Sequence, residues 1–379
     1  MGPRMGCLGG GQLGRMMALE GYPLGLSFTF LDPAPDSSAG QVADRLVGPY
    51  TDPHLLAELG ASSDLVTFEF ESVPQEAAAQ LASSTEVFPG PRALAVAQDR
   101  LLEKRIFTDL GIPTAEHAPV DGPEDFDAAW AKVGHPARLK SRRLGYDGHG
   151  QSRVSSRQDM ARAFSAVGGV PSILEREVAF DRELSIISVR SKTGAVAFYP
   201  LTENHHEESV LRLSLAPAPE LTARLEAAAQ ELSSALMEEL DYCGVLAVEL
   251  FQVGDRLVAN EMAPRVHNSG HWTLDGAVVS QFQNHLRAGL GWPLGTTATR
   301  RPHAMVNILS SAPELEALLE VPLARVHLYG KRPRPLRKLG HVNLTGGAAA
   351  EVSAAVLATG ALLTASLPAP RYAGSYWPE

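Results

Sequence analysis

Cysteine is almost missing from this chain: Cys7 and Cys243 are the only two in 379 residues. That excludes a disulfide framework and a cysteine zinc cluster. Both thiols fall in or beside apolar runs, where they read as small fillers rather than nucleophiles. No apolar run approaches the ~18 residues that a membrane-spanning helix needs. No signal-peptide apolar segment with a cleavage site opens the chain, and a cytoplasmic location is the expectation. An excess of positive charge is also lacking, with 33 Lys+Arg against 43 Asp+Glu and a net charge of −10. That argues against nonspecific nucleic-acid binding while leaving room for a local basic pocket. There is no Walker A loop and no internal repeat. What remains is globular in composition, 45% hydrophobic and 20% charged. The length exceeds one ordinary core, so two or three domains are expected.

The first of these reads as an open α/β layer. Met5–Leu8 is a short buried strand, and Gly9-Gly10-Gly11-Gln12-Leu13-Gly14 turns into a helix through about Glu20. Ser27–Leu31 is the next strand and ends at Asp32. Glycines permit the tight turn, and the helix N-terminus offers N–H groups to an anion. The spacing passes for a dinucleotide fingerprint, but a plain strand-to-helix turn explains it as well. Asp64–Phe70 and Val87–Pro89 supply further strands, and Pro89-Gly90-Pro91 marks the way out of the layer. Residues 1–98 form this unit.

Asp99–Leu110 has helical spacing, with Leu102, Ile106 and Leu110 on one face and Arg100 and Lys104 one turn apart. A strand at Pro136–Lys140 then feeds SRRLGYDGHGQ, Ser141–Gln151. Lys140, Arg142 and Arg143 precede Gly145, Gly148 and Gly150, and flexible backbone with cations suits a loop that closes over a polyphosphate. An exposed hairpin tip is the competing reading. The strand Ser172–Arg176 runs into the acid-rich linker Glu175–Val178 and then Glu183–Ile187. Such a segment can hold an adenine through backbone groups and a ribose through a carboxylate, although composition alone favours surface charge for Glu175, Glu177 and Glu183. Asn204-His205-His206 follows a strand at Ala195–Tyr199, and Pro219–Glu239 is a long amphipathic helix.

The densest chemistry lies in VELFQVGDRLVANEMAPRVHNSGHW, Val248–Trp272. Two apolar runs flank Gly254-Asp255, a strong hairpin signal. Glu249 sits inside the first run and Glu261 closes the second, so the hairpin can bring two carboxylates together. Close carboxylates repel unless a cation or proton lies between them, and Mg²⁺ commonly takes one or two carboxylates plus substrate phosphates. Asn260, Arg265, His267, Asn268, Ser269 and His271 crowd polar groups behind the turn. Beyond Trp292–Gly295 come strands at Ala304–Ile308, Arg325–Tyr329 and Val342–Thr345, the basic run KRPRPLRK at Lys331–Lys338, and a helix at Ala349–Leu363. The basic run lacks the aromatic interleaving of a single-strand nucleic-acid site.

GGGQLGRM at Gly9–Met16, FEFESVP at Phe68–Pro74, KSRRLGYDGHGQ at Lys140–Gln151, FYPLTENHH at Phe198–His206, NEMAPRVHNSGHWT at Asn260–Thr273 and LRKLGHVNLTG at Leu336–Gly346 occur in that order. Together they resemble the N5-carboxyaminoimidazole ribonucleotide synthetases, ATP-grasp enzymes of purine biosynthesis, over nearly the whole chain. The resemblance implies an α/β and α+β architecture: a Rossmann-like N-terminal domain (1–98), an ATP-grasp domain with a glycine-loop lid (99–295) and a small C-terminal domain (296–379). It implies ATP, bicarbonate and aminoimidazole ribonucleotide as substrates, Mg²⁺ as the metal, no biotin, and a homodimer. It places ATP against Arg100, Lys140, Gly145, Tyr146, Asp147, Gly148, His149, Gly150, Gln151, Glu175, Arg176, Glu177, Val178, Glu183, His206, Asn260 and Glu261. Glu249 and Glu261 would hold the metal. Arg265, His267 and Lys338 would act at the carboxyphosphate, and Gln12, Tyr146, Asn268, Ser269, Lys331 and Arg337 would contact the ribonucleotide.

Two departures from familiar patterns stand out. His149 occupies the place where the family's loop usually has arginine, which would make any substrate contact there pH-dependent. Ala263 stands two residues after Glu261, where many other ATP-grasp ligases carry asparagine. The rival readings are another ATP-grasp ligase, such as a formate-dependent glycinamide ribonucleotide transformylase, a non-catalytic nucleotide-binding regulator, and an NAD-dependent dehydrogenase read from the first glycine turn.

Overall fold

The computed structural model describes residues 2–145, 149–299 and 301–378. The N-terminal layer is a five-stranded parallel sheet in the spatial order Asp44–Val47, Ser27–Asp32, Arg4–Leu8, Leu65–Phe68, Glu86–Val87. Leu8, Leu31, Val66 and Phe68 are fully buried, as expected of parallel strands covered on both faces. The Asp44–Val47 edge strand escapes sequence reading because it is mostly exposed and lacks apolar alternation.

A long antiparallel sheet carries the rest of the molecule. Its order is Arg256–Ala263, Gly244–Val253, Arg182–Arg190, Thr202–Glu207, Val210–Ala216, His303–Leu309, Lys338–Leu344, Ala324–Leu328, with Val196–Phe198 also paired to Arg182–Arg190. The strands beyond residue 300 therefore extend the same sheet through the pairing of Val210–Ala216 with His303–Leu309. A separate four-stranded antiparallel sheet, in the order His117–Val120, Ser172–Arg176, Ala137–Ser141, Gln151–Val154, forms the lid subdomain around its own core of Phe126, Leu139, Val154 and Leu174.

The N-terminal layer and the long sheet share one apolar core, in which Phe28, Phe30, Ala247, Phe282 and Leu286 take part. His285 bridges them. Its Nε2 lies 2.9 Å from Thr67 Oγ1, and its Nδ1 accepts the Val245 N–H at 3.0 Å. The parallel layer is thus fixed against the strand that carries Glu249.

Several local expectations shift. The helix expected at Asp99–Leu110 is Arg100–Asp109, because Asp99 caps it by accepting the Leu101 N–H at 3.0 Å. Of the expected face, Ile106 is buried and Leu110 packs against the same core, whereas Leu102 is 39% exposed. Glu103 and Lys104, 2% and 1% exposed, are buried beside them, so tertiary pairing extends the apolar pattern to charged positions. The long helix starts at Ala223 rather than Pro219, with Thr222 as its cap. Asn204, His205 and His206 lie within the strand Thr202–Glu207 rather than after one. Lys338 opens the strand Lys338–Leu344 instead of ending a loop.

Candidate active site

The hairpin places Glu249 and Glu261 as direct cross-strand partners, with side chains on one face and close together. Immediately afterwards the register slips: Leu250 pairs with Ala259, so Asn260 is the extra residue of a β-bulge. Burial, and then the charge of Glu261, push the Glu249 carboxyl up to about 7. Burial acts the same way on Glu261, but Arg100 outweighs it and holds that carboxyl below its ordinary value. The Arg100 guanidinium donates to Glu261 Oε2 at 2.8 Å. Among the described residues no group of three or more His, Cys, Asp or Glu is arranged to hold a metal alone. Two facing carboxylates fit a divalent cation whose remaining ligands are phosphate oxygens and water.

Cations converge around this pair. Lys140 Nζ donates to Glu175 Oε2 at 2.8 Å, and Lys104 Nζ stands 3.8 Å from the same oxygen. Burial would raise Glu175, yet Lys140 and then Lys104 bring it down to about 2. Glu175 is 4% exposed, so it is no surface charge. On the neighbouring strands, Glu183 Oε2 lies 2.7 Å from His206 Nδ1. Burial lowers the His206 pKa, but the Glu183 carboxylate outweighs that and raises it.

Behind the hairpin, His267 Nε2 is 3.4 Å from Glu249 Oε1, and its Nδ1 is 2.9 Å from Ser269 Oγ. Gln281 clamps the His267 backbone, accepting its N–H at 2.9 Å and donating to its carbonyl at 2.7 Å. Burial, then Arg265 and Lys338, hold His267 well below its ordinary pKa, so it stays neutral. Arg265 makes a two-pronged pair with Glu71 of the N-terminal unit, through Nε and through Nη2, the latter at 3.0 Å.

Other expected residues divide by location. Lys331 donates to Gln12, which joins the basic run to the N-terminal glycine turn. Arg337 donates to the Arg332 carbonyl at 3.3 Å. The charge of Lys338 lowers both Glu71 and Glu249 and pushes His267 down, placing it with Arg265 and His267. Asn268 is engaged reciprocally with Asn307, at 3.1 and 2.8 Å. Ser269 accepts from Ser185 Oγ at 2.8 Å and is 1% exposed, so both side chains are tied up inside the protein. Glu177 pairs with Arg138 at 3.1 Å and Arg153 at 3.3 Å on the lid sheet, while Arg176 is exposed beside Gly134. Val178 is half-buried in the same linker, and Asn260 is the bulged residue. In the glycine loop, Gln151 donates to Ser209 Oγ at 3.2 Å and His149 is exposed. Gly150 has φ +72°, and a Cβ there would meet Ser141 Oγ at 2.5 Å, which requires glycine. Gly145 adjoins the His149 carbonyl and Arg100. Tyr146, Asp147 and Gly148 lie outside the described residues.

The first glycine turn has its own occupant. Glu69 accepts the N–H groups of Gly11 and Gly14, the latter at 2.8 Å, and Asp32 accepts that of Gly10 at 2.7 Å. A carboxylate of the protein thus takes the donors that a dinucleotide phosphate would need. Sequence reasoning missed Glu69 and Glu71, although both stand in the conspicuous FEFESVP run. It also missed Glu103, whose neighbour Lys104 it placed one turn from Arg100, and Gln281, which carries no local signal.

A four-stranded lid sheet beside a long antiparallel sheet whose hairpin carries facing carboxylates is the architecture of an ATP-grasp enzyme. Family models match in chain order: a ribonucleotide synthetase preATP-grasp domain over residues 3–98, an ATP-grasp domain over 105–282, and a phosphoribosylaminoimidazole carboxylase C-terminal domain over 303–355. Within that class the chain belongs to the N5-carboxyaminoimidazole ribonucleotide synthase family. It is 46% identical to the synthase of Pseudomonas aeruginosa, covering 96% of this chain and 100% of that one. The crystal structure of the Thermus thermophilus synthetase superposes with a TM-score of 0.92 at 50% identity, covering 96% of this chain and 99% of the other. The synthase of Aspergillus clavatus in complex with ADP and 5-aminoimidazole ribonucleotide superposes at 0.89 with 32% identity, covering 96% and 98%.

Proposed function

We propose that this chain carries out the ATP-dependent carboxylation of 5-aminoimidazole ribonucleotide to N5-carboxyaminoimidazole ribonucleotide. The observation that carries the reading is the convergence of Arg100, Arg265, His267 and Lys338 around the facing Glu249 and Glu261. It rests equally on the family to which the chain belongs. Bicarbonate attacks the γ-phosphate, giving carboxyphosphate and ADP. The amine of the ribonucleotide then receives the carboxyl group, either from the mixed anhydride or from CO₂ that it releases, and phosphate leaves.

Glu249 and Glu261 would hold Mg²⁺, which when bound neutralises charge on the transferring phosphoryl group. Arg100 and Lys140 flank the phosphates. Glu183 with His206 takes the ribose side. Arg265, held by Glu71, and Lys338 stabilise the anhydride anion by charge-assisted hydrogen bonds. His267, kept neutral by burial and by Arg265 and Lys338, adds no further positive charge there. The basic run with Lys331 and Arg337 meets the single phosphate of the ribonucleotide near Gln12. We also propose the division into units 1–98, 99–295 and 296–379, a homodimeric assembly and a cytoplasmic location. No helix among the described residues is long and apolar enough to cross a membrane.

The test is a coupled ADP-release assay with Mg·ATP and bicarbonate, with and without the ribonucleotide. Release that needs both supports the reading. Release indifferent to the ribonucleotide overturns the assigned acceptor, and formate with glycinamide ribonucleotide would then be assayed. Folded protein that binds ATP and releases no ADP in any combination would establish a non-catalytic regulator.

A further inference from the structure

The helix Arg100–Asp109 meets the bulged strand at three successive residues. Arg100 donates to the Glu261 carboxylate at 2.8 Å. One turn on, Lys104 Nζ donates to the Asn260 carbonyl at 2.7 Å. Glu103 Oε1 accepts the Met262 N–H at 2.6 Å. Glu103 and Lys104 are 2% and 1% exposed, a costly burial for two ionisable groups unless each is engaged by a partner.

The reason for that engagement is that Arg256–Ala263 is the edge of its sheet, paired in the ladder with Gly244–Val253 on one side. Its outward backbone groups must be met from outside the ladder, and the bulge at Asn260 falls beside Glu261. The helix supplies partners to both peptide groups that flank Glu261. We propose that Glu103 and Lys104 are positioning residues for the metal carboxylate: they fix the peptides on either side of Glu261 and so hold its side chain against Glu249. Lys104 also stands 3.8 Å from Glu175, which pairs with Lys140 at 2.8 Å. The hairpin and the base of the glycine loop are therefore set by one helix. The same helix is anchored to that loop at its cap, where Asp99 takes Arg142 at 3.0 and 2.7 Å.

This inference rests on the assignment of Glu249 and Glu261 to the metal. Mn²⁺ titrated into the full chain saturated with ADP and followed by electron paramagnetic resonance separates the two. Glu103→Gln keeps an oxygen to accept the Met262 N–H and is expected to bind Mn²⁺ within about threefold of the parent. Glu103→Leu and Lys104→Met each leave a backbone group unmet and are expected to weaken Mn²⁺ about tenfold or more. Metal-free ADP affinity by calorimetry is expected unchanged for Glu103→Leu, and the Mn²⁺ loss of Lys104→Met is read at saturating ADP because Lys104 also touches Glu175. Parent-like Mn²⁺ affinity in both folded variants, or Glu103→Gln as weak as Glu103→Leu, would overturn the positioning role. If either of the two fails to fold, the other with Glu103→Gln still decides it. Glu249→Gln that leaves Mn²⁺ binding untouched would instead remove the metal assignment itself.

Discussion

Glu71 and Arg265, 194 residues apart in sequence, form a two-pronged carboxylate–guanidinium pair that joins the N-terminal unit to the loop behind the Glu249–Glu261 hairpin. Burial works against the charge on Glu71, but Arg265 more than compensates and keeps it ionised. A lysine cannot reproduce the fork. Arg265→Lys is therefore expected to lower kcat for ribonucleotide-dependent ADP release by about 10²-fold, the scale of losing one aimed donor to a developing anion. Metal-free ATP affinity should be unaffected. Steady-state kinetics with calorimetry checks it, and a kcat within twofold of the parent would remove Arg265 from the reacting centre.

Glu261→Gln keeps the shape of the hairpin and removes one of the facing charges. ADP formation should fall by at least about 10²-fold, with the circular dichroism spectrum retained. An active variant would take Glu261 out of the metal site.

Lys338 stands on the strand that pairs with His303–Leu309, and its charge acts on Glu249 and His267. Lys338→Ala should reduce ribonucleotide-dependent turnover more than ATP binding. Equal loss of both would place its role with the nucleotide.

The buried carboxylates set a pH dependence of stability in the protein without nucleotide. Burial and Glu261 raise Glu249 to about 7 and Glu103 to about 8. A raised pKa in the folded state gives stability that is present at low pH and lost as pH rises through the folded value. Glu175, held at about 2, acts oppositely, contributing above the ordinary carboxylate range and losing that contribution only as pH falls toward 2. Glu249 and Glu103 thus contribute a fall in stability between about pH 5 and 8, against the buried histidines His267, His271 and His341, whose lowered values favour the fold as pH rises. The melting temperature of Glu249→Gln relative to the parent should therefore increase as pH rises from about 5 to 8, and Mg·ATP should abolish that change by neutralising the pair. A difference between the two that does not vary with pH across this range would refute the account.

Glu69 closes the first glycine turn with two charge-assisted bonds to backbone N–H groups. Glu69→Ala is expected to destabilise the protein by about 2–3 kcal/mol, read as a lowered denaturant midpoint. The parent should show no NAD binding in a fluorescence titration. Saturable NAD binding would restore the dinucleotide reading of that turn.

The sequence by itself determined the local features: the strand-to-helix turn at Gly9–Gly14, the hairpin at Gly254-Asp255, the glycine loop and the order of the motifs. Each is encoded by backbone permissiveness and apolar spacing within a few residues, which is why the carboxylate pair and its cation-rich neighbourhood were legible before the fold. What the tertiary structure alone decided is who partners whom. The apolar spacing of the helix after Asp99 marked Ile106 and Leu110, which do pack in the core, but not Glu103 and Lys104, which are buried against the backbone on either side of Glu261. Glu69 at the glycine turn, Glu71 on Arg265 and Asn307 on Asn268 likewise have no local signature. Their partners arrive from distant strands, and a buried polar group is settled only by what the folded chain brings within hydrogen-bond reach.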